Sequence, residues 1–250
     1  WVAVGWRQSH QVTLPAAEYL AKRDIAFVAS PVERIMAADN AITTVAGQRL
    51  DYDYLLLCTG PRLAFEEVPG LGPEPGFTHS VCTTPHAQAA WAAYQRFVAS
   101  PGPVVVGAVQ GASCFGPAYE FAMILDADLR QRRVRDRVPM TFVTSEPYIG
   151  HMGLGGVGDS KGLMESAFRQ RHIKWICNAR VLSVEAGTMT VGECNDAGEV
   201  VKQHQLPFSY SMMLPAFKGV EAVAAVEGLN NPRGFVLVDK QQRSTRHRNI

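Results

Sequence analysis

The sequence predicts an α/β fold of two interleaved domains, at least one of them a Rossmann-like βαβ unit, and three observations carry that expectation. First, "PVVVGA" from Pro103 reads as a strand ending at a glycine turn, with a helix from Pro117 to about Arg132 and a second strand in "VPMTFVTSEP". Second, Tyr54 to Cys58 is an unbroken apolar run closed by Thr59-Gly60, of the kind a parallel sheet covers on both faces. Third, "PRLAFEEVPGLGPEPG" is dense in proline and glycine, and the sequence changes character after it. The expected domains are 1–76, 77–215 and a return to the first domain over 216–250.

In chain order, "LPAAEYLAKRD" has helical spacing behind a proline, "IAFVAS" reads as a strand, and "AITTVAGQRLDYD" as a small hairpin before the apolar run. "TPHAQAAWAAYQRFV" predicts a helix. The helix after the glycine turn places apolar residues at 118, 121, 122, 125 and 129, a single face. "SKGLMESAFRQRH" reads as helix, "IKWICNARVLSVEAG" as strand pieces, and "TMTVGE" through "SYSMML" as a meander turning at Asp196-Ala197-Gly198. "GFVLVD" is expected to be a last strand.

Composition excludes several classes. With 24 basic and 23 acidic residues the formal charge is +1, which offers no general attraction for nucleic acid. The arginine-rich "DLRQRRVRDRV" is therefore read as a solvated helix end. No run of about 18 apolar residues spans a bilayer, so membrane contact is expected to be peripheral. Cysteines at 58, 82, 114, 177 and 194 are too scattered for a disulfide scaffold, and no C-x-x-C suggests a metal site.

The glycine turn is not a working dinucleotide fingerprint. In G-x-G-x-x-G the second glycine lets backbone approach the pyrophosphate and the third packs helix on strand. Counted from Gly107, those positions are Val109 and Ala112, and a valine side chain would take the pyrophosphate's space. The same stretch adds Cys114 before a helix whose start is marked by Pro117. A helix N-terminus favours a thiolate, so Cys114 is a candidate nucleophile; the other reading is that it fills a gap between strand and helix. Glu120 is expected in the helix's first turn, where the dipole favours a carboxylate in any case; a catalytic, proton-handling role is the second reading for it.

The strings "VVGAVQGASCFGPAYEFA", "FVTSEPYIGHMGLGGVGDSKGLMES", "RQRHIKWICNARV", "LPFSYSMMLPAFKGVEAV" and "NPRGFVLVDKQQR" together resemble the sulfide:quinone oxidoreductases. These are flavoproteins with two Rossmann-like domains of the FAD/NAD(P)-binding fold. The resemblance implies that sulfide is oxidised by redox cysteines facing FAD, that sulfur is kept as a persulfide or polysulfide, and that a membrane quinone takes the electrons. Cys114 matches the cysteine of the "GASCFG" string, and Cys82, in "THSVCTTPHA", a further one. His86 and His151 match histidines placed near quinone and flavin, where proton delivery needs groups that titrate near neutrality; without the resemblance each is an ordinary loop or surface histidine. Pro31 and Val32 in "ASPVERI", and Thr59 and Gly60, are the implied cofactor contacts, whereas Cys58 is read as core. "SYSMMLPAF" could line a quinone pocket, or Met212, Met213 and Phe217 could be plain core.

The resemblance also implies segments outside this chain at both ends: a glycine-rich FAD turn before Trp1, and a third cysteine with membrane-seeking helices after Ile250. The expectation is a central fragment that alone neither holds FAD tightly nor turns over. Two other readings stand beside it, a type II NADH:quinone oxidoreductase, against which Val109 and Ala112 count, and a binding relic without catalysis. The oligomeric state, a homo-oligomer among the possibilities, is left open.

Overall fold

A computed structural model describes all residues from Trp1 to Ile250, and they divide into two compact units. One comprises Trp1–Thr13 and Ala64–Ala216, the other Leu14–Leu63 and Phe217–Ile250. The division therefore falls at Leu63/Ala64 and Ala216/Phe217, and the first residues of the chain belong with the larger unit.

In the smaller unit, α1 (Ala16–Ala21) precedes a three-stranded antiparallel sheet of β1 (Val32–Met36), β2 (Ala41–Thr44) and β3 (Arg49–Asp51). The hairpin β2–β3 forms as expected, but Ile25–Ser30 joins no ladder. The apolar run also departs from expectation. Leu55 and Leu57 pack with the Ile35, Val223 and Leu229 core, while Tyr54 and Leu56 are 83% and 86% exposed. Its one backbone partner is Asn249, whose carbonyl accepts the Leu55 amide at 2.8 Å. A run apolar on both sides is thus covered on one only, and Cys58 is exposed rather than core. β4 (Arg62–Ala64) comes next in the chain.

The larger unit holds the βαβ pattern. After α2 (Thr84–Ala99), β5 (Val104–Ala108) leads through α3 (Gly116–Gln131) to β6 (Met140–Thr144), then α4 (Ser160–Gln170) and β7 (Ile173–Ile176). β8 (Ala179–Glu185), β9 (Thr188–Cys194) and β10 (Val200–Pro207) form an antiparallel meander, with the expected turn between β9 and β10 and Gly198 at φ +78°. β11 (Tyr210–Leu214) is not part of that meander. It returns to the parallel sheet, whose order is β11-β5-β6-β7. β12 (Ala216–Lys218) pairs with β4, and α5 (Glu221–Ala224) follows. "GFVLVD" makes isolated bridges, Asn230 with Val236 and Val238 with Ser244, instead of a strand.

Strand alternation explains why β5 is apolar throughout. Val104, Val106 and Ala108 enter the core under α2 and α3 with Phe142, Tyr210 and Met212, while Val105 enters the core under the meander with Val143, Met213 and Val181. Gly107 has a specific reason to be bare: an added Cβ would sit 1.8 Å from the Val143 carbonyl oxygen. All five apolar positions expected to form one face of α3 are buried. The arginine run after it is not simply solvated. Arg135 is buried, its Nε 2.6 Å from Asp126 Oδ1, and it donates to the Val138 and Arg171 carbonyl oxygens. Met212 and Met213 are fully buried core.

Candidate functional site

The turn after β5 is filled from both sides. Val109 is fully buried among the meander-side residues, and its amide donates to the Leu214 carbonyl at 3.0 Å. Ala112 and Phe115 close the helix side. Gln110 fixes the turn to β8, its side chain donating to the Val181 carbonyl and accepting the Val181 amide, each at 3.0 Å. Where a nucleotide-binding turn leaves bare backbone, this one presents hydrocarbon and a side-chain clamp.

The acid that reads a nucleotide ribose lies beyond the second strand of such units. Here Glu146, two residues past β6, is buried and engaged inward. It accepts from Tyr119 Oη at 2.7 Å, Thr144 Oγ1 at 2.6 Å and the Met152 amide at 2.5 Å. Burial first, then Glu146, raises the Tyr119 phenol above its ordinary value, and burial with Glu146 pushes the Cys177 thiol up to about 12. Sequence reasoning misses Glu146, although an acid at the end of a second βαβ strand is the available signal.

Cys82 and Cys114 lie before the N-termini of α2 and α3 and both are exposed. Cys114 is not the gap-filler its position also allowed. Cys82 touches solvent, yet the protein around it raises its thiol by desolvation; a hydrogen bond from Ser80 acts in the opposite direction, and Cys114 is near enough to add to the rise. Thr83 caps α2, its Oγ1 accepting the His86 amide at 3.2 Å, whereas α3 has no side-chain cap. His86 lies 3.3 Å through Nδ1 from Ser80 Oγ and meets Phe65 edge-on at 5.9 Å.

The other candidates are placed apart from this cluster. His151 is half-buried in the glycine-rich loop, stacked edge-on against Tyr148 at 5.1 Å, and its Nδ1 has no hydrogen-bond partner. Glu120 is exposed and lies past the first turn of α3, because that helix starts at Gly116; the first turn holds no acid. It lines an open groove of about 410 Å³ with Val2, Val81, Pro117, Phe121 and Ile124. In the smaller unit, Pro31, Val32, Thr59 and Gly60 are all exposed. Gly60 has φ +66° and open space about its Cα.

No family model matches the chain. Sulfide-quinone reductase of Aquifex aeolicus (strain VF5) is 40% identical to it over 251 residues, covering 100% of this chain and 56% of that protein. The X-ray structure of the Aquifex aeolicus enzyme superposes with a TM-score of 0.91 over 99% of this chain and 56% of its own. A mitochondrial sulfide:quinone oxidoreductase of Dictyostelium discoideum is 30% identical over 42% of this chain and 24% of its own length. A NAD-dependent persulfide reductase from A. fulgidus shares the fold, with a TM-score of 0.64 at 16% identity over 93% of this chain and 40% of its own. The chain thus spans little more than half the length of its Aquifex relative.

Proposed function

The chain is a relative of the sulfide:quinone oxidoreductases, alike over its whole length in sequence and in its FAD/NAD(P)-binding fold, and from that premise we propose that it carries the thiol part of a sulfide-oxidising flavoenzyme. Sulfide is the reductant, a quinone the acceptor, and attachment to the membrane is peripheral; no helix is long and apolar enough to cross a bilayer. The observation that carries this reading is the pair of exposed thiols before two helix N-termini, beside a nucleotide turn closed by Val109.

The closed turn and the inward Glu146 oppose nicotinamide as electron donor, which disfavours an NADH:quinone oxidoreductase. Cys114 is the sulfur-carrying thiol. It stands at an uncapped helix end, whose unpaired amides face the sulfur-bearing segment and favour the anion of a persulfide held there. Cys82 is the neighbouring thiol. His86 and His151, whose Nδ1 is unpartnered, hold and deliver protons.

FAD, when bound, supplies the two-electron sink between sulfide and quinone. The smaller unit's residues fit such a group: Thr59-Gly60 is exposed backbone with no side chain crowding Gly60, and Pro31 and Val32 present a second exposed edge. Those four residues would touch it, largely through main-chain atoms. We further propose that the smaller unit is the FAD-binding type and the larger a nicotinamide type that has lost its ligand.

Absorbance spectra of the purified chain and sulfide titration of the complete protein with a soluble quinone test the reading. Sulfide-dependent quinone reduction that disappears with Cys114→Ser is expected; flavin bleaching by NADH, with no response to sulfide, would overturn it. A complete protein without flavin would favour the binding relic.

A further inference from the structure

We infer that Tyr119 and Glu146 are positioning residues for His151: together they grip the main chain on either side of it and set where its imidazole stands. The Gly150 amide donates to Tyr119 Oη at 2.9 Å, and the Met152 amide to Glu146 Oε1 at 2.5 Å. The two acceptors are themselves joined, because the Tyr119 hydroxyl donates to Glu146 Oε2 at 2.7 Å. Tyr119 lies on α3 and Glu146 just past β6, both buried, so the histidine loop is fastened to helix and sheet at once.

The shape of the loop requires such a grip. Gly150 has φ +82° and Met152 φ +57°, so the residues on both sides of His151 are left-handed. Glycine adopts that conformation freely, but methionine does so only where its surroundings impose it. The imidazole supplies no anchor at Nδ1, which is enclosed and has no hydrogen-bond partner, and its ring meets Tyr148 edge-on. Bonds within the loop run from the His151 amide to the Tyr148 carbonyl and from the Leu154 and Gly156 amides to the His151 carbonyl. They shape it without tying it to α3 or β6. Ser160 Oγ, donating to the Gly150 carbonyl at 2.8 Å, adds a tie to α4.

Each bond in the network has a fixed direction. An ionised carboxylate only accepts hydrogen bonds, whereas a phenol both donates and accepts. Glu146 therefore receives Met152, Tyr119 and Thr144, while Tyr119 gives its hydrogen to Glu146 and receives Gly150. Burial keeps the phenol protonated and able to donate. The acid that a nucleotide-binding unit turns outward to a ribose is here turned inward, onto the main chain around a histidine.

The positioning is a property of this chain, whereas its effect on turnover rests on the proton role proposed above for His151; a spectroscopic readout and a kinetic one keep the two separable. In the complete protein labelled at histidine, the His151 ring signal in the NMR spectrum would be assigned by its disappearance in His151→Gln. Tyr119→Phe is expected to shift or broaden that signal. It should also lower quinone reduction about tenfold when His151 is present, and not at all on top of His151→Gln. Glu146→Gln, which keeps an acceptor for the Met152 amide, should lose less than Glu146→Ala in both readouts. An unmoved His151 signal in Tyr119→Phe, or a kinetic loss that multiplies with that of His151→Gln, would overturn the positioning. A displaced signal with unchanged quinone reduction would leave the positioning in place and refute the proton role. Should Tyr119→Phe lose its circular dichroism, the same two readouts in Glu146→Gln decide.

Discussion

Cys82-Thr83-Thr84-Pro85 and Cys114-Phe115-Gly116-Pro117 occupy equivalent places: each cysteine precedes the N-cap residue of a 16-residue helix with proline in its first two positions. What differs is the company each thiol keeps. α2 is capped by Thr83, and beside it Ser80 Oγ accepts the Cys82 amide at 3.2 Å and lies 3.3 Å from His86 Nδ1. α3 has no side-chain cap, so its first amides are left without a side-chain acceptor. The cap backbones differ as well: Thr83 is extended, at φ −134° and ψ 158°, whereas Phe115 is already helical, at φ −93° and ψ −25°.

The strongest way to break this contrast is to remove each sulfur in turn. In the complete protein, Cys114→Ser should lower sulfide-dependent quinone reduction by on the order of a hundredfold or more, and Cys82→Ser by about tenfold. Equal losses would erase the distinction. Glu146→Ala strips a partner from Tyr119 on α3 and from Thr144, and should cost about 3 kcal/mol in urea unfolding. Its effect on alkylation should reach Cys114 and spare Cys82.

Thr83→Ala sharpens the contrast from the other side. Losing that cap should cost about 1 kcal/mol and leave Cys114 alkylation unchanged. Cys177 supplies an enclosed thiol for comparison. Its folded pKa, about 12, lies above the ordinary 9.0, so the native state keeps a proton that the unfolded chain gives up. Stability contributed by that proton is present below about pH 9 and declines as pH rises toward 12. The fall in unfolding free energy between about pH 8 and about pH 10 should be smaller in Cys177→Ala, by about 1 kcal/mol. The smallest effect is expected for Glu120→Gln, within about 0.5 kcal/mol in unfolding and with quinone reduction unchanged, since its carboxylate is exposed on the groove wall.

The parts of the fold that can be read from sequence are those whose partners lie close along the chain. β5, α3 and β6 form one local unit, and the five apolar positions of α3 give its face directly. Ile25–Ser30 and Tyr54–Cys58 have strand-like composition, but a strand also needs a neighbour to pair with, and composition does not specify one. β11 reads as meander because the choice between a hairpin and a return to β5 depends on a pairing about a hundred residues distant. At the site, the filled turn at Val109 and the place of Cys114 before α3 are legible from residue type and position, whereas Cys82 is singled out by resemblance alone. Ser80 and Glu146 are not, because a serine or glutamate acquires a role only from what the fold sets beside it. Arg135 escapes a sequence reading for the same reason, its partner Asp126 lying across a helix end.

Under the function proposed above, Val109 ties the choice of reductant to the packing of the core. A surface flap that barred a cofactor could be lost by drift at little thermodynamic penalty, but this residue is interior packing between β5 and the meander. Excavating it would mean a cavity in the scaffold itself, at about 2 kcal/mol or more for the lost side chain alone. On that reading, selection for a well-packed protein guards the identity of the electron source as a by-product.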